Sequence, residues 1–152
     1  MGNNDYFDFN STVMTGSAAR TFVLQATISS GTKIQFIDGG AQAASQMFGL
    51  GWGRDTNYLF YHFWSNDGSS WLNLSPGSYM LAFVYTGSSL IVYKDGVFLG
   101  SYTTSLNTGT AMNYRIGRYG IDDWYSNGSW KSNFCAVYDK ALTQDEIKKF
   151  KQ

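Results

Sequence analysis

The chain has 152 residues, of which only one is a cysteine and one a proline, and it carries no net charge. Because Cys135 has no partner, an internal disulfide is excluded and packing must stabilise the fold. Eleven basic and eleven acidic residues cancel, which leaves no electrostatic footprint for nucleic acid. No run approaches the roughly 18 apolar residues of a membrane span, and residues 1–5 lack the features of a signal peptide. We expect neither a nucleic-acid partner nor membrane insertion, and either a chain that is not Sec-exported or an excised domain.

Aromatic residues and glycine are abundant. The chain contains 11 Tyr, 11 Phe, 5 Trp and 17 Gly, a mixture typical of an all-β domain with many tight turns. The length suits one domain of ordinary size, and no linker or internal repeat interrupts the sequence. We therefore predict a single domain over residues 1–152.

Local patterns predict strands at short intervals. Residues 90–99 describe a β-hairpin, since Asp95-Gly96 supplies the positive φ angles of a tight turn between β-branched and aromatic runs. Residues 21–28 alternate between apolar and polar side chains. Eight or more strands in so short a chain predict an antiparallel, two-sheet jelly-roll β-sandwich. At the end, Thr143 and Glu146 form the capping box of a short helix that buries Ile147 and Phe150.

Three of these segments resemble a known family. The hairpin with Tyr93-Lys-Asp-Gly96, the triplet 115–117 and the closing segment 134–147 are similar to the laminin-G-like branch of the concanavalin A-like lectin and glucanase superfamily. The resemblance covers most of the chain and is most specific over 79–150. It implies a jelly roll with a concave sheet and long rim loops, and members that bind glycans or proteins, often with calcium. One departure is that Ser132-Asn133 stands where the family usually has an acidic pair.

Catalysis has little support in the residues. Glycoside hydrolysis normally uses two carboxylates, but the one glutamate, Glu146, is explained by the capping box. A hydrolase would need the adjacent Asp122 and Asp123 as its pair, which makes it the third alternative. His62 and Cys135 could serve a nucleophilic site, but we expect a half-buried, hydrogen-bonded histidine and a buried structural thiol. We therefore predict a domain that is not an enzyme.

Two predicted loops combine aromatic and polar residues in the manner of a sugar-binding site. Residues 118–131 and residues 52–57 are both expected at the rim of the sandwich. The alternative is a purely structural role, in which the aromatic residues of 118–131 pack against the end of the core. In the ligand-binding interpretation, aromatic rings stack on sugar and polar groups bind hydroxyls; the candidates are Trp124, Tyr125, Trp130, Asp122, Asp123, Asn127, Arg54 and Asp55.

Calcium is a secondary hypothesis for the same loop. Asp122, Asp123 and Asn127 offer hard oxygen donors, but calcium needs six to eight oxygens and no EF-hand spacing is present. The sequence thus requires no cofactor and leaves calcium as the weaker alternative.

The most favoured function is carbohydrate recognition, and the runner-up is a structural or protein-binding module. In the second interpretation, a decoration, fibre or adhesion domain of a virion or cell surface buries its aromatics at an interface, within an oligomer or larger assembly. Tyr58, Phe60, His62 and Trp64 lie on one strand face, which is either a stacking platform or core. An extracellular or virion surface is the expected setting for a glycan or surface-protein partner.

Overall fold

The computed structural model describes residues 6–10, 14–54, 56–117 and 130–150, apart from the side chains of Ser69 and Ser70. These residues form eleven β-strands and one helix, arranged as two antiparallel sheets. The predicted two-sheet sandwich with a short C-terminal helix is confirmed. Within the described ranges, no helix is long and apolar enough to cross a membrane.

The first sheet has six strands in the order β1-β10-β3-β4-β5-β6. All neighbouring pairs are antiparallel, and the register shifts at three of the pairings, where one strand bulges. Its strands are β1 Phe7–Phe9, β3 Ile34–Gly40, β4 Gly49–Trp52, β5 Tyr58–His62, β6 Gly68–Asn73 and β10 Met112–Ile116.

The second sheet has five strands in the order β11-β2-β7-β8-β9. The central strand β7 is apolar on both faces because one face meets the other sheet and the opposite face lies beneath the helix. The predicted turn joins β8 to β9, with φ of 52° at Asp95 and 77° at Gly96. The strands are β2 Arg20–Ile28, β7 Gly77–Tyr85, β8 Ser89–Lys94, β9 Val97–Thr103 and β11 Trp130–Tyr138.

Alternation along the strands builds the core between the sheets. Every second residue of β2 points inward, and the predicted inward set of Phe22, Leu24, Ala26 and Ile28 is buried there. Phe36 of the facing sheet meets Phe83 with ring centroids 6.2 Å apart. Aromatic rings bury large areas and account for much of the driving force in so small a sandwich.

The helix α1, Gln144–Lys148, covers part of the outer face of the five-stranded sheet. Its N-cap is Thr143, whose side chain accepts a hydrogen bond from Glu146 N while the Glu146 carboxylate accepts one from Thr143 N. Ile147 is 1% exposed and packs with Val23 and Val84. The predicted capping box and the burial of Ile147 are confirmed.

Glu146 makes the capping contact sensitive to pH. Hydrogen bonds from Lys140 Nζ and from Thr143 lower its pKa to about 2. Because the pKa is lower in the folded than in the unfolded state, the carboxylate stabilises the fold above the unfolded pKa, and this contribution is lost as the pH falls toward 2. We expect a small difference in Tm between wild type and Glu146→Gln above about pH 5 that shrinks steadily in acid. Thermal unfolding across this range measures it, and a difference that grows in acid contradicts it.

Cys135 is exposed, so the prediction of a buried thiol is wrong. The residue lies on β11, at one edge of its sheet, across from β1 at the edge of the other sheet. The sandwich is open along this side, where a groove of about 320 Å³ is lined by residues that include Phe7, Ile116 and Cys135. Burial of part of the side chain still raises the pKa of the thiol.

Candidate functional site

Three chain connections have their bases at the same end of the sandwich. Ile34 pairs with Trp52, which brings the β2–β3 and β4–β5 connections together. The long connection between β10 and β11 starts where Gly117 N donates to Gln35 O at 3.1 Å, and it ends where Trp130 pairs with Ile28. We call this end, formed by residues 29–33, 53–57 and the two bases of the 118–129 connection, the loop rim.

A concavity of about 220 Å³ lies between the first two of these connections. Gly53 permits the close approach: its φ is +84°, and a Cβ added there would lie 2.2 Å from Thr32 O. Two cations, Lys33 and Arg54, contribute to the lining, Lys33 being exposed and Arg54 half-buried. The concavity thus has two basic side chains in its lining, and the remaining lining residues are Gly31, Thr32, Trp52, Thr56 and Asn57.

The concavity is braced from inside the protein. Trp52 is 1% exposed, and its Nε1 donates to Leu74 O at 2.6 Å. Thr32 donates its hydroxyl to Ser29 O at 2.7 Å, which closes the β2–β3 turn on itself. These bonds satisfy buried polar groups and hold the two loops in one arrangement. Trp52 is thus a supporting residue whose ring is closed to solvent.

Of the eight predicted site residues, the structure describes two. Arg54 lines the concavity of the loop rim. Trp130 is 3% exposed and lies edge-on to Phe36, with ring centroids 5.6 Å apart. Because Trp130 pairs with Ile28 on the inward-facing row of β2, its indole belongs to the core, which corrects the expectation that it stacks on a ligand. The other six lie outside the described residues; they are Asp55, Asp122, Asp123, Trp124, Tyr125 and Asn127.

Sequence reasoning missed a polar row across the outer face of the six-stranded sheet. Asp8 pairs with Arg115, and Arg115 pairs with Asp38. Beyond Asp38 the row continues through Gly49 to His62: a Cβ on Gly49 would lie 2.6 Å from Asp38 Oδ1, and Gly49 pairs with His62. No local pattern could reveal the row, because its members come from five separate strands between residues 7 and 116.

The middle of this polar row is closed to solvent. Asp38 is fully buried and His62 is 8% exposed, whereas the ion pair between Arg115 Nε and Asp8 Oδ1, at 2.9 Å, stays near the surface. Burial lowers the pKa of His62; Asp67 opposes this shift, and the positive charge of Arg54 adds to it. Burial thus favours the neutral form of the imidazole. Its Nε2 lies 3.5 Å from Asp67 Oδ2. His62 is thus more deeply buried than the half-buried, hydrogen-bonded histidine that we predicted.

The strand face that carries Tyr58, Phe60, His62 and Trp64 contributes Phe60 and Trp64 to a small second core. Leu59, Tyr61 and Phe63 point into the main core, so Phe60 points away from the facing sheet. Phe60 is nevertheless fully buried, because it packs with Met47 and the partly buried Trp64 and Met112. Of the two alternatives for this face, core is the correct one for Phe60.

The described residues contain no group of three or more His, Cys, Asp or Glu side chains that could hold a metal ion. The three proposed calcium ligands, Asp122, Asp123 and Asn127, lie outside the described part of the chain. Calcium therefore stays a prediction that rests on the sequence.

Neither a family model nor a curated protein sequence matches this chain, but several solved structures share its fold. Domain 4 of AbnA, an extracellular arabinanase of family GH43 from Geobacillus stearothermophilus, was solved in complex with arabinotriose. It is 19% identical with a TM-score of 0.71, and the match covers 100% of this chain and 75% of that one.

Two further structures extend the comparison. A Bacteroides ovatus protein assigned to carbohydrate binding is 16% identical with a TM-score of 0.72, over 95% of this chain and 44% of its own. The binding domain of botulinum neurotoxin DC, solved with rat synaptotagmin II, is 10% identical with a TM-score of 0.61, over 88% and 35%. This chain thus spans less than half of the last two. At these identities the likeness shows the fold, and the neighbours are binding domains.

Proposed function

We propose that this domain is a non-catalytic recognition module that binds carbohydrate at the loop rim. The observation that carries the proposal is the convergence of three connections at one end of the sandwich, where Lys33 and Arg54 line a braced concavity. The 118–129 connection is anchored at both ends beside this concavity. Its sequence adds Trp124 and Tyr125, which would stack on sugar rings.

The concavity alone is smaller than a typical ligand pocket of about 300–1,000 Å³. We propose that the 118–129 connection and Asp55 supply the rest of the site. In the proposed site, Asp122, Asp123, Asn127, Arg54 and Asp55 bind sugar hydroxyls. The solved neighbours support the proposal, since one of them was crystallised with arabinotriose and another is assigned to carbohydrate binding.

Membership in the laminin-G-like, concanavalin A-like group belongs to the same proposal, as does a setting at an extracellular or virion surface. A protein ligand is the second candidate. It is favoured by Phe7, which is 59% exposed beside an apolar groove, and by the neighbour solved with synaptotagmin. Aromatic residues of this kind are enriched at protein interfaces.

A glycan array followed by calorimetry with arabinotriose tests the proposal. We expect wild type to bind at least one glycan, and Trp124→Ala or Arg54→Ala to weaken that binding roughly tenfold, as the loss of one stacked ring or one charged hydrogen bond predicts. Phe98→Ala is the matched control, because Phe98 is 54% exposed on β9 of the other sheet. Its affinity should equal that of wild type.

An array on which wild type binds no glycan contradicts the proposal and favours a protein partner. The same titration in EDTA examines calcium. We expect the affinity to be unchanged, whereas a loss that added calcium restores would show that binding needs the ion, for which Asp122, Asp123 and Asn127 are the candidate ligands.

A further inference from the structure

Among the residues that the structure describes, those that cover the outer face of the five-stranded sheet extend over only half of its length. Helix α1 and Leu142 lie on Val23, Ala82 and Val84. Toward the other end of the same strands, Gln25 and Ser78 are exposed and Met80 is half-buried. A groove of about 420 Å³ occupies this uncovered half, within the range of ligand sites in proteins. Its volume is nearly twice that of the concavity at the loop rim.

The floor of the groove is a row of side chains from adjacent chain segments. Phe134 pairs with Gln25, and Gln25 pairs with Met80. Met80 then meets Asp95 at the hairpin turn through two hydrogen bonds: Asp95 N donates to Met80 O at 2.8 Å, and Met80 N donates to Asp95 Oδ1 at 3.0 Å. Four segments thus align an aromatic ring, an amide, a thioether and a carboxylate in one line.

At the Phe134 end of this row, two aromatic rings form a wall of the groove. Phe134 is 37% exposed, and its ring centroid lies 5.9 Å from that of Phe150 at an interplanar angle of 35°. Phe150 is fixed in turn by Tyr138, at 5.8 Å, and by the hydrogen bond from its own N–H to Ile147 O. The wall therefore offers an apolar surface that is already ordered, which reduces the entropy lost when a ligand binds.

The polar groups of the groove retain unused hydrogen-bonding capacity. Within the described part of the chain, the Gln25 amide makes no side-chain hydrogen bond, and Asp95 uses only Oδ1. Ser78 and Thr27 share one hydrogen bond at 2.8 Å between their hydroxyls, and a hydroxyl also has spare acceptor positions. The groove thus combines free donors and acceptors with an apolar wall.

This combination selects the chemistry of the ligand. A purely apolar ligand would desolvate Asp95 and Gln25 without replacing their hydrogen bonds, which is costly. An anion would be repelled by the Asp95 carboxylate. A sugar ring satisfies both halves of the groove, because its C–H face packs on Phe134 and its hydroxyls donate to Asp95 Oδ2 and accept from the Gln25 amide. We propose that the groove is a second saccharide site, separate from the loop rim and holding a single pyranose or furanose ring.

Amide chemical shifts in solution test this site directly. Wild type is titrated, to millimolar concentrations, with the methyl glycosides of glucose, galactose, mannose and arabinose. We expect at least one of them to shift the amides of Gln25, Met80 and Asp95 in a saturable manner, with Phe134 among the shifted residues. If none of the four glycosides shifts these amides in a saturable manner, the proposal is wrong.

Two variants separate the site from its surroundings. Asp95→Asn keeps the acceptor for Met80 N, and Asn tolerates the positive φ of this position, so the turn should persist. Phe134→Ala removes an exposed ring. Each should weaken the groove titration roughly tenfold, whereas Phe98→Ala, which removes an exposed ring from β9, should leave it unchanged. Equal affinities in all four proteins would overturn the assignment.

The two proposed sites can be tested independently of each other. Trp124→Ala is expected to weaken binding at the loop rim roughly tenfold and to leave the shifts of Gln25 and Met80 intact. Shifts confined to the loop rim contradict the groove and support the proposed function. Shifts confined to the groove support the second saccharide site and contradict binding at the loop rim.

Discussion

Replacing Arg20 with methionine is expected to lower the free energy of unfolding by about 3 kcal/mol. Arg20 is fully buried at the start of β2. Its guanidinium donates to Thr15 O at 3.2 Å, to Gly16 O at 3.3 Å and to Thr108 Oγ1 at 2.6 Å. These bonds join the segment before β2 to the one before β10, which also pair through Gly16 and Thr108. Methionine would remove all three bonds, and Gly16 O would keep only the hydrogen bond from Thr108 N.

Two aromatic rings also contact the Arg20 guanidinium. The guanidinium carbon lies 5.1 Å from the ring centre of Phe48 and 5.0 Å from that of Tyr85. Burial lowers the pKa of Arg20, and no carboxylate in the described part of the chain forms a salt bridge with it. A neutral side chain would therefore escape a desolvation cost. We expect the lost hydrogen bonds and ring contacts to outweigh this gain, because charged hydrogen bonds in a buried site are worth about 1.5–3 kcal/mol each.

Denaturant unfolding of Arg20→Met measures the effect, and Arg115→Met is the matched control. Arg115 also forms a charged contact, with Asp8, but that pair is partly exposed, so its loss should cost no more than about 1 kcal/mol. If Arg20→Met unfolds at the same denaturant concentration as Arg115→Met, or is more stable than wild type, the prediction is wrong. The desolvation cost of the buried charge then matches or exceeds the stabilisation from its hydrogen bonds and ring contacts.

The sequence predicts the local architecture well because that architecture depends on short-range chemistry. Alternation over residues 21–28 identifies the inward face of β2, since side chains along a strand point to opposite sides. Asp95-Gly96 identifies a turn because few residue pairs adopt positive φ at both positions. Thr143 and Glu146 identify the helix start because each supplies the hydrogen bond that the other lacks.

Properties that depend on which strands become neighbours escape this reasoning. Cys135 looks like a buried residue within an apolar strand, but β11 lies at an open edge, and its position in the sheet order is not encoded locally. Arginine is mostly exposed in proteins, but Arg20 is buried because the segments at Arg20 and Thr108, 88 residues apart, meet around it. The polar row from Asp8 to His62 likewise exists only after five strands have paired.

The candidate site is predicted in outline by the same argument. Loop residues rich in Trp, Tyr and Asp suggest a ligand-binding rim, and the strand register brings the bases of these loops together. The orientation of a side chain at a loop boundary is not predictable from the sequence, because it depends on whether that residue is paired within the strand or lies in the loop. Trp130 is the case in point: it is the first residue of β11, and this position turns its ring inward.

Trp130→Ala is therefore expected to act on stability, with a loss of about 3–5 kcal/mol in the free energy of unfolding. Trp130 is 3% exposed, contacts Phe36 edge-to-face and belongs to the main core. Alanine would leave a large cavity between the sheets, and the surrounding rings of the sandwich can fill it only in part. Denaturant unfolding monitored by circular dichroism measures the loss.

Trp130→Phe distinguishes a core residue from a ligand-binding one. Phenylalanine keeps an aromatic partner for Phe36 and most of the buried area, so the loss of stability should be smaller than for alanine. Glycan affinity at the loop rim should then equal that of wild type, because an inward-facing ring contributes no surface to the ligand. Trp124→Ala is expected to give the opposite result, with lower affinity and little change in unfolding. If Trp130→Phe keeps its stability and loses affinity, Trp130 touches the ligand, and the inward orientation of β11 at its first residue is wrong.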